Sequence, residues 1–342
     1  MKTEDINRIN KLLKDDPHVV ILSHANPDGD AIGSVLAMYG YLHKRNVKVE
    51  ALLPDSIPVY YRWMEHAEAV LSAGKDPELV ERRLKEADLL FCFDFNAFAR
   101  VEALEKPLRN AGGLKVLIDH HPDPEMGFDI QWSDTKLSST AELLFRFIHA
   151  LGGEKFIDRY VAEALYVGMM TDTGSFNFNS DHPDMYLVLH QLVSLGVNPA
   201  LLHQRVYDNF SHQRMRLLGH CLLHKMVVIP EAKTAYISLS LRELQQFDHQ
   251  KGDTEGLVNY PLSIKGVVFA ALFTETGKFI KASFRSKNSF KANVLAKEYF
   301  NGGGHKNAAG GKSFVSMKQT IKHFESLVKS KFLNDLKNAD DS

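Results

Sequence analysis

A chain of 342 residues with 44% hydrophobic, 24% charged and 10% aromatic content excludes a disordered, collagen-like or coiled-coil protein, and surface-to-volume scaling favours two domains of about 100–200 residues over one core. The net charge of −1 hides a division: residues 1–195 carry 30 acidic and 20 basic side chains, whereas residues 196–342 carry 12 and 21. An acidic half suits cations and a basic half suits an anion, while the balanced total argues against a long duplex nucleic acid, which needs broad phosphate neutralisation.

The N-terminal MKTEDINRINKLLKDD is polar and lacks the apolar core of a signal peptide. No stretch approaches the ~20 apolar residues of a membrane span, so no membrane partner is expected. His18–Ser23 is a short apolar run that reads as a buried strand. Ala31–Asn46 then places Ile32, Val35, Leu36, Tyr39 and Leu42 on one helical face. Val47–Leu53 is a second strand, stopped by Pro54. Asp76-Pro77-Glu78 has the cap, proline and acid of a helix start, and that helix leads into the strand Asp88–Phe93. After the Gly112-Gly113 turn comes the strand Leu114–Ile118. Near-continuous apolar strands separated by helices predict a parallel sheet covered on both faces.

Helices are expected over Ser139–Ala150 and Ile157–Met170, and two more between Asn198 and Lys225 with a break near Asn209-Phe210-Ser211. The charge balance changes sign there. The expected organisation is therefore a domain of residues 1–193, a helical linker 194–226, and a smaller α/β domain 227–342. The second domain reads as strands Met226–Ile229, Thr234–Leu239, Gly266–Thr274 and Phe279–Phe284, a helix Ala292–Phe300, and another after Ser316. The two cysteines, Cys92 and Cys221, lie in apolar runs, and the absence of a disulfide framework points to a reducing cytoplasm.

In an open parallel sheet, ligands bind beyond the carboxyl ends of the strands. The first strand is followed by His24-Ala-Asn-Pro-Asp28-Gly-Asp30, the strand ending at Phe93 by Asp94, and the strand ending at Ile118 by Asp119-His120-His121. Asp172 is expected just past a helix, in a glycine-containing turn. Unrelated turn and cap residues have no reason to follow successive strands on one side of a sheet. Carboxylates with imidazoles favour a divalent ion such as Mn, Fe, Co or Zn. Two ions ~3.5–4 Å apart sharing a carboxylate would use the whole set. In the basic half, Gly302-Gly303-Gly304 offers backbone N–H groups to an anion, His305 adds a donor, and Arg285 with Ser286 ends a strand. Arg100 is a further basic candidate.

His24-x-x-x-Asp28-x-Asp30, Asp94, Asp119-His120-His121 and Asp172 resemble the four motifs of the DHH phosphoesterase superfamily. Gly302-Gly-Gly-His305 with Ala308-Ala-Gly310 resembles the signature of its associated C-terminal domain. The resemblance runs from about residue 18 to 316, and the length and two-domain plan are most similar to the bacterial oligoribonuclease/3′-phosphoadenosine-5′-phosphate phosphatase group. It implies an α/β fold and two metal ions, usually manganese. His24, Asp28 and Asp94 would hold one ion, and Asp30, Asp94, His120 and Asp172 the other, with Asp94 as the bridge. Asp119 would orient a ligand histidine and His121 would face the scissile phosphate. The implied substrates are short single-stranded RNA and a nucleoside bisphosphate (pAp), and homodimer formation is left open.

Two rival motifs fail. Asp172-Thr-Gly-Ser175 imitates an aspartic-protease signature but occurs once, and such dyads need two carboxylates. Asn26-x-Asp28-x-Asp30 imitates an EF-hand loop but has Ala31 and Ala37 at the glycine and closing-acid positions. The alternatives to an oligoribonuclease and pAp phosphatase are a linear or cyclic dinucleotide phosphodiesterase and a non-catalytic nucleotide sensor.

Overall fold

Each apolar run of the first half becomes a strand whose alternate residues enter different cores. The structure, a computed structural model, describes residues 2–250 and 252–339; the outer ends of the expected domains (residue 1 and residues 340–342) and residue 251 lie outside them. The chain divides into two units, Met1–Asn209 and Phe210–Ser342.

Unit 1 holds strands β1 (Val19–Ser23), β2 (Val49–Leu53), β3 (Leu71–Ser72), β4 (Leu89–Phe93), β5 (Leu114–Asp119) and β6 (Ile130–Ser133). They form one sheet in the order β3-β2-β1-β4-β5-β6, and every pairing is parallel. Its helices are α1 (Thr3–Leu12), α2 (Gly29–Lys44), α3 (Pro77–Glu86), α4 (Glu105–Asn110), α5 (Thr140–Ala150), α6 (Arg159–Asp172), α7 (Pro183–Ser194) and α8 (Pro199–Tyr207). Side chains alternate across a strand. Val19, Ile21, Phe91, Phe93, Val116 and Ile118 accordingly join the core formed with α2, α5 and α6. Val20, Leu22, Leu90, Cys92 and Leu117 join the opposite core, with Val80 and Leu84 of α3 and Leu108 of α4.

Two expected helix starts hold, whereas α2 begins at Gly29 rather than Ala31 and α6 at Arg159 rather than Ile157. Asp76 caps α3 through Leu79 N, and Ser139 caps α5 through Glu142 N. Helix α6 runs two residues further than expected, so Asp172 is its last residue rather than part of the following turn. Strand β6 was not expected: it is an edge strand in which only Ile130 is buried. No single helix among the described residues is long and apolar enough to cross a membrane; α7 and α8 meet such a test only as a pair, bent by 101°.

Helices α2 and α6 approach closely because glycines face the contact. A Cβ on Gly33 would lie 2.5 Å from Ala164 O and 2.9 Å from Gly168 N. A Cβ on Gly168 would lie 2.5 Å from Ala141 Cβ and 2.9 Å from Asp30 Oδ1. The same glycines therefore draw the first turn of α2, the start of α5 and the end of α6 together.

Unit 2 holds helix α9 (His212–His220), strands β7 (Met226–Ile229) and β8 (Thr234–Leu239), helix α10 (Leu241–Gln246), strands β9 (Phe269–Glu275) and β10 (Ile280–Ser286), helix α11 (Ala292–Tyr299), strands β11 (Gly303–Gly304) and β12 (Ala308–Ser313), and helices α12 (Met317–Lys329) and α13 (Leu333–Lys337). The sheet order is β11-β12-β10-β9-β8-β7, with only β8 and β9 parallel. Strand β9 begins at Phe269, three residues later than the expected Gly266, and Gly266 itself has a left-handed φ of 81°. Strand β12, Ala-Ala-Gly-Gly-Lys-Ser, has no β-branched or aromatic residue. Its glycines admit close backbone: a Cβ on Gly302 would lie 1.9 Å from Gly310 O.

Candidate active site

The strand order reverses direction between β1 and β4, which are hydrogen-bonded neighbours. Such a switch point opens a crevice at the strands' carboxyl ends. His24 leaves the end of β1, Asp94 the end of β4, and Asp119, His120 and His121 the end of β5. Asp28 and Asp30 come from the start of α2 and Asp172 from the end of α6.

His24 is buried, and its Nδ1 donates to Ala25 O at 2.8 Å. Its Nε2 is buried without a hydrogen-bond partner, 3.4 Å from Asp94 Oδ2 and 3.9 Å from Asp28 Oδ1. Asp28 caps α2 by accepting from Asp30 N and Ala31 N, both 3.1 Å away. Asp30 is 1% exposed and in turn accepts from the first amides of α5, Thr140 N at 2.7 Å and Ala141 N at 2.9 Å. A helix N-terminus thus holds that carboxylate in place.

Asp94 lies at the centre, with a left-handed φ of 63° that aspartate tolerates better than most residues. Its Oδ2 faces His24. Its Oδ1 accepts from Thr140 Oγ1 at 2.9 Å and lies 3.7 Å from His120 Nε2 and 3.6 Å from His121 Nδ1. His120 Nε2 is also 3.5 Å from Asp172 Oδ2 and 3.9 Å from Asp30 Oδ2. Two donor groups result, His24/Asp28/Asp94 and Asp30/His120/Asp172, each with atoms within 4.8 Å of one another. Asp94 reaches both.

Asp119 bonds a different imidazole from the one expected. Its Oδ1 takes the Nδ1–H of His121 at 2.7 Å, not a proton from His24 or His120. It is the last residue of β5, and the chain turns immediately after it, so the nearest ring is two positions on. Sequence reasoning also missed Thr140. A helix is expected from Ser139, but nothing in the local sequence tells which carboxylates its first turn faces.

None of the carboxylates Asp28, Asp30, Asp94 and Asp172 is ion-paired to a lysine or arginine among the described residues. Burial and the charges of Asp94, Asp172 and Asp28 hold Asp30 well above the usual carboxylate range. Burial, reinforced by Asp94 and Asp28 and opposed by His120, pushes Asp172 up to about 6. Burial works against charging His24 and His120, but the carboxylates around them prevail and raise both. Burial likewise opposes the Asp28 charge, yet His24 and the Ala31 amide outweigh it and lower its pKa.

The cluster's carboxylates are therefore offset by no lysine or arginine among the described residues. The bare Nε2 of His24 aimed at two carboxylates and the buried acids without counter-ions fit divalent cations bound by oxygen and imidazole. Thiol ligation is absent, because Cys92 is buried in the opposite core.

Without metal, the signs are fixed. Raised carboxyls take up protons on folding, so their contribution falls as pH rises from about 4 through the Asp172 value near 6. Raised histidines contribute below about 6.5 and lose that contribution as pH climbs through their folded values. Asp28 alone runs the other way, losing its contribution as pH falls. In EDTA, the Tm should decline between these limits, and Asp172→Asn should flatten the slope. Calorimetry across that range checks this, and an identical slope in wild type and variant would contradict it.

Arg100 is exposed, and its charge reaches His24 and Asp28. Its carbonyl accepts from Ala25 N at 2.8 Å, tying it to the turn after β1. In unit 2, three of the expected anchors have other duties or limits. Gly302 N donates to Ala296 O at 3.1 Å, closing the end of α11, so it is not an anion donor. Gly304 has a φ of 133° and sits tightly against Ala308 and Ala309. Ser286 is buried, its hydroxyl donating to Phe290 O at 2.8 Å and accepting from Asn307 at 2.9 Å, so it shapes the loop rather than meeting a ligand. Gly303 faces open space, His305 is partly exposed, and Arg285 lies on β10 with Nη1 donating to Phe284 O at 3.0 Å.

Residues 18–169 match the DHH family, N-terminal domain, and residues 232–330 match the DHHA1 domain. A probable bifunctional oligoribonuclease and PAP phosphatase NrnA of Streptococcus mutans is 27% identical over 301 residues, covering 86% of this chain and 89% of the relative. The bifunctional oligoribonuclease and PAP phosphatase NrnA of Thermus thermophilus is 29% identical, covering 85% and 83%. The crystal structure of an exopolyphosphatase-related protein from Bacteroides fragilis superposes with a TM-score of 0.94 at 38% identity, covering 98% of each chain.

Proposed function

Because this chain belongs to the DHH family of phosphoesterases, we propose that it hydrolyses short oligoribonucleotides to mononucleotides and removes the 3′-phosphate of 3′-phosphoadenosine-5′-phosphate. The observation that carries this reading is Asp94, one carboxylate in reach of two separate sets of oxygen and nitrogen donors. It is supported by the relatives named for both activities.

In this reading His24, Asp28 and Asp94 hold one divalent ion, and Asp30, Asp94, His120 and Asp172 hold the second, both of the manganese type. When bound, such ions neutralise phosphoryl oxygens and acidify an attacking water. The protein's own groups do the rest. Asp30 is kept in place by the α5 amides and Asp94 by Thr140. The buried Asp119 accepts the Nδ1 proton of His121 and fixes the ring, which in this reading faces the scissile phosphate. Arg100 meets a second phosphate as a planar fork. Unit 2, with Arg285, Gly303, Gly304 and His305, anchors the remainder of the substrate. The same reading assigns a reducing cytoplasm, consistent with two buried free thiols.

Chromatography of products from a labelled trinucleotide, pAp, linear diadenylate and cyclic diadenylate, with manganese present, tests the assignment. Mononucleotides from the trinucleotide and adenylate from pAp are expected. Turnover confined to a diadenylate would make the chain a dinucleotide phosphodiesterase, and no turnover of any would make it a sensor. Gly303→Val fills open space and should raise KM about tenfold, equivalent to roughly 1.4 kcal/mol, with bound metal retained. Metal loss by elemental analysis would contradict the assignment of anchoring to unit 2.

A further inference from the structure

The sheet of unit 2 is covered unevenly. On one face Phe269, Phe273, Ala282, Phe284 and Ala309 pack into a core with α11 and α12. On the other, Ala270 and Leu272 of β9 are covered by Leu257 and Leu262, from a segment that also reaches β10. The outward side chains of β10 and β12 are nevertheless left open to differing degrees. Lys281 and Lys312 are exposed, and Ser283, Arg285, Ala308 and Gly310 are partly so.

Register pairs these residues into rungs. Arg285 opposes Ala308, Ser283 opposes Gly310, and Lys281 opposes Lys312. The same alternation sets Phe279 beside Phe314, whose ring centroids are 6.1 Å apart. Rungs are about 7 Å apart and the ladder spans about 20 Å. Like charges directly opposite on a sheet are destabilising, yet Lys281 and Lys312 face one another and neither has an ion-pair partner among the described residues. Lys312 Nζ instead lies 5.1 Å from the Phe279 ring. Phe314 is 69% exposed. No rung carries an acid, and between the cations the floor is only Ser283 and Gly310, with Gly303 next to Gly310 on β11.

We propose that this face is a track for the outer nucleotides of a single-stranded oligoribonucleotide. Arg285 marks one end, Lys281 and Lys312 bind a backbone phosphate two rungs along, and Phe279 with Phe314 stack a terminal base at the other end. Cations that follow a backbone plus aromatic rings for bases are what single-strand binding requires, and the small floor lets the backbone lie close. The inference rests on the oligonucleotide reading above and assigns where substrates longer than two residues gain affinity.

Fluorescence anisotropy in EDTA, with end-labelled di- and pentaribonucleotides, tests it independently of turnover. The double variant Lys281→Ala/Lys312→Ala and the single variant Phe314→Ala should each weaken pentanucleotide binding about tenfold, in line with truncations at stacking platforms. Dinucleotide binding should stay within about twofold, and the lysine variant should lower the salt slope by about 1.4. With manganese, KM for the pentamer should rise at constant kcat while pAp turnover is unchanged. Undiminished pentamer binding, equal losses for dimer and pentamer, or no pentamer binding by the wild type would overturn the track. So would a change of sedimentation in Phe314→Ala with binding intact, which would make the face a contact between copies. Length-dependent binding without hydrolysis of any substrate would uphold the track and refute the catalytic reading instead.

Discussion

Asp94→Ala should lower kcat by about 10³-fold or more, since Lewis-acid stabilisation is worth several kcal/mol and each 1.4 kcal/mol is tenfold. Among the described residues, no other carboxylate lies within 4 Å of both His24 and His120. Its Oδ2 is 3.4 Å from His24 Nε2 while its Oδ1 is 3.7 Å from His120 Nε2. Removing it opens both donor sets at once and also frees the Thr140 hydroxyl that it accepts. Elemental analysis should show less bound metal per chain, and the Tm gain on adding manganese should shrink. Full metal content with normal turnover would remove Asp94 from its assigned place. A variant that keeps its metal but loses turnover would limit its role to aligning the phosphate.

Gly33→Ala should destabilise unit 1 by about 3 kcal/mol, the upper end of the usual cost of overpacking. The added methyl would meet Ala164 O at 2.5 Å and Gly168 N at 2.9 Å, and both are backbone atoms that no rotamer change can move. Helices α2 and α6 must then separate, and Asp30, on the first turn of α2, moves away from Asp172 at the end of α6. Activity should therefore fall even at temperatures where the fold persists. Gly112→Ala is the matched control, because a Cβ there meets nothing within 4 Å, and its effect should stay within about 0.5 kcal/mol. Urea unfolding with saturating manganese compares the two. Equal stability of Gly33→Ala and wild type would show that the close helix approach is dispensable.

Much of the centre was legible because parallel strands are buried on both faces and so read as apolar runs, and polar residues placed directly after them stand out. His24, Asp94 and Asp119 are each found within one residue of a strand end. The strands that escaped notice, β3, β6, β11 and β12, carry few buried apolar residues: β3 and β11 are two residues long, β6 is an edge, and the composition of β12 answers to Gly302 and Gly304 pressing against it. Ser286 and Gly302 were legible as polar or bare positions near a strand end. Their hydrogen bonds to Phe290 and Ala296 depend on loops whose return path no local pattern encodes.

Composition, hydrophobic period and motif spacing by themselves determined the parallel α/β sheet, the acidic and basic halves, and the set of acids and imidazoles gathered at one rim, since these follow from side-chain chemistry and the short-range geometry of strands and helices. Only the tertiary structure decided that Asp119 grips His121, that the start of α5 holds Asp30 and Asp94, and that Lys281 faces Lys312. The last two join residues distant along the chain and depend on helix approach and strand register, which long-range packing sets; the first is local, but which imidazole meets Asp119 depends on how the chain turns after β5.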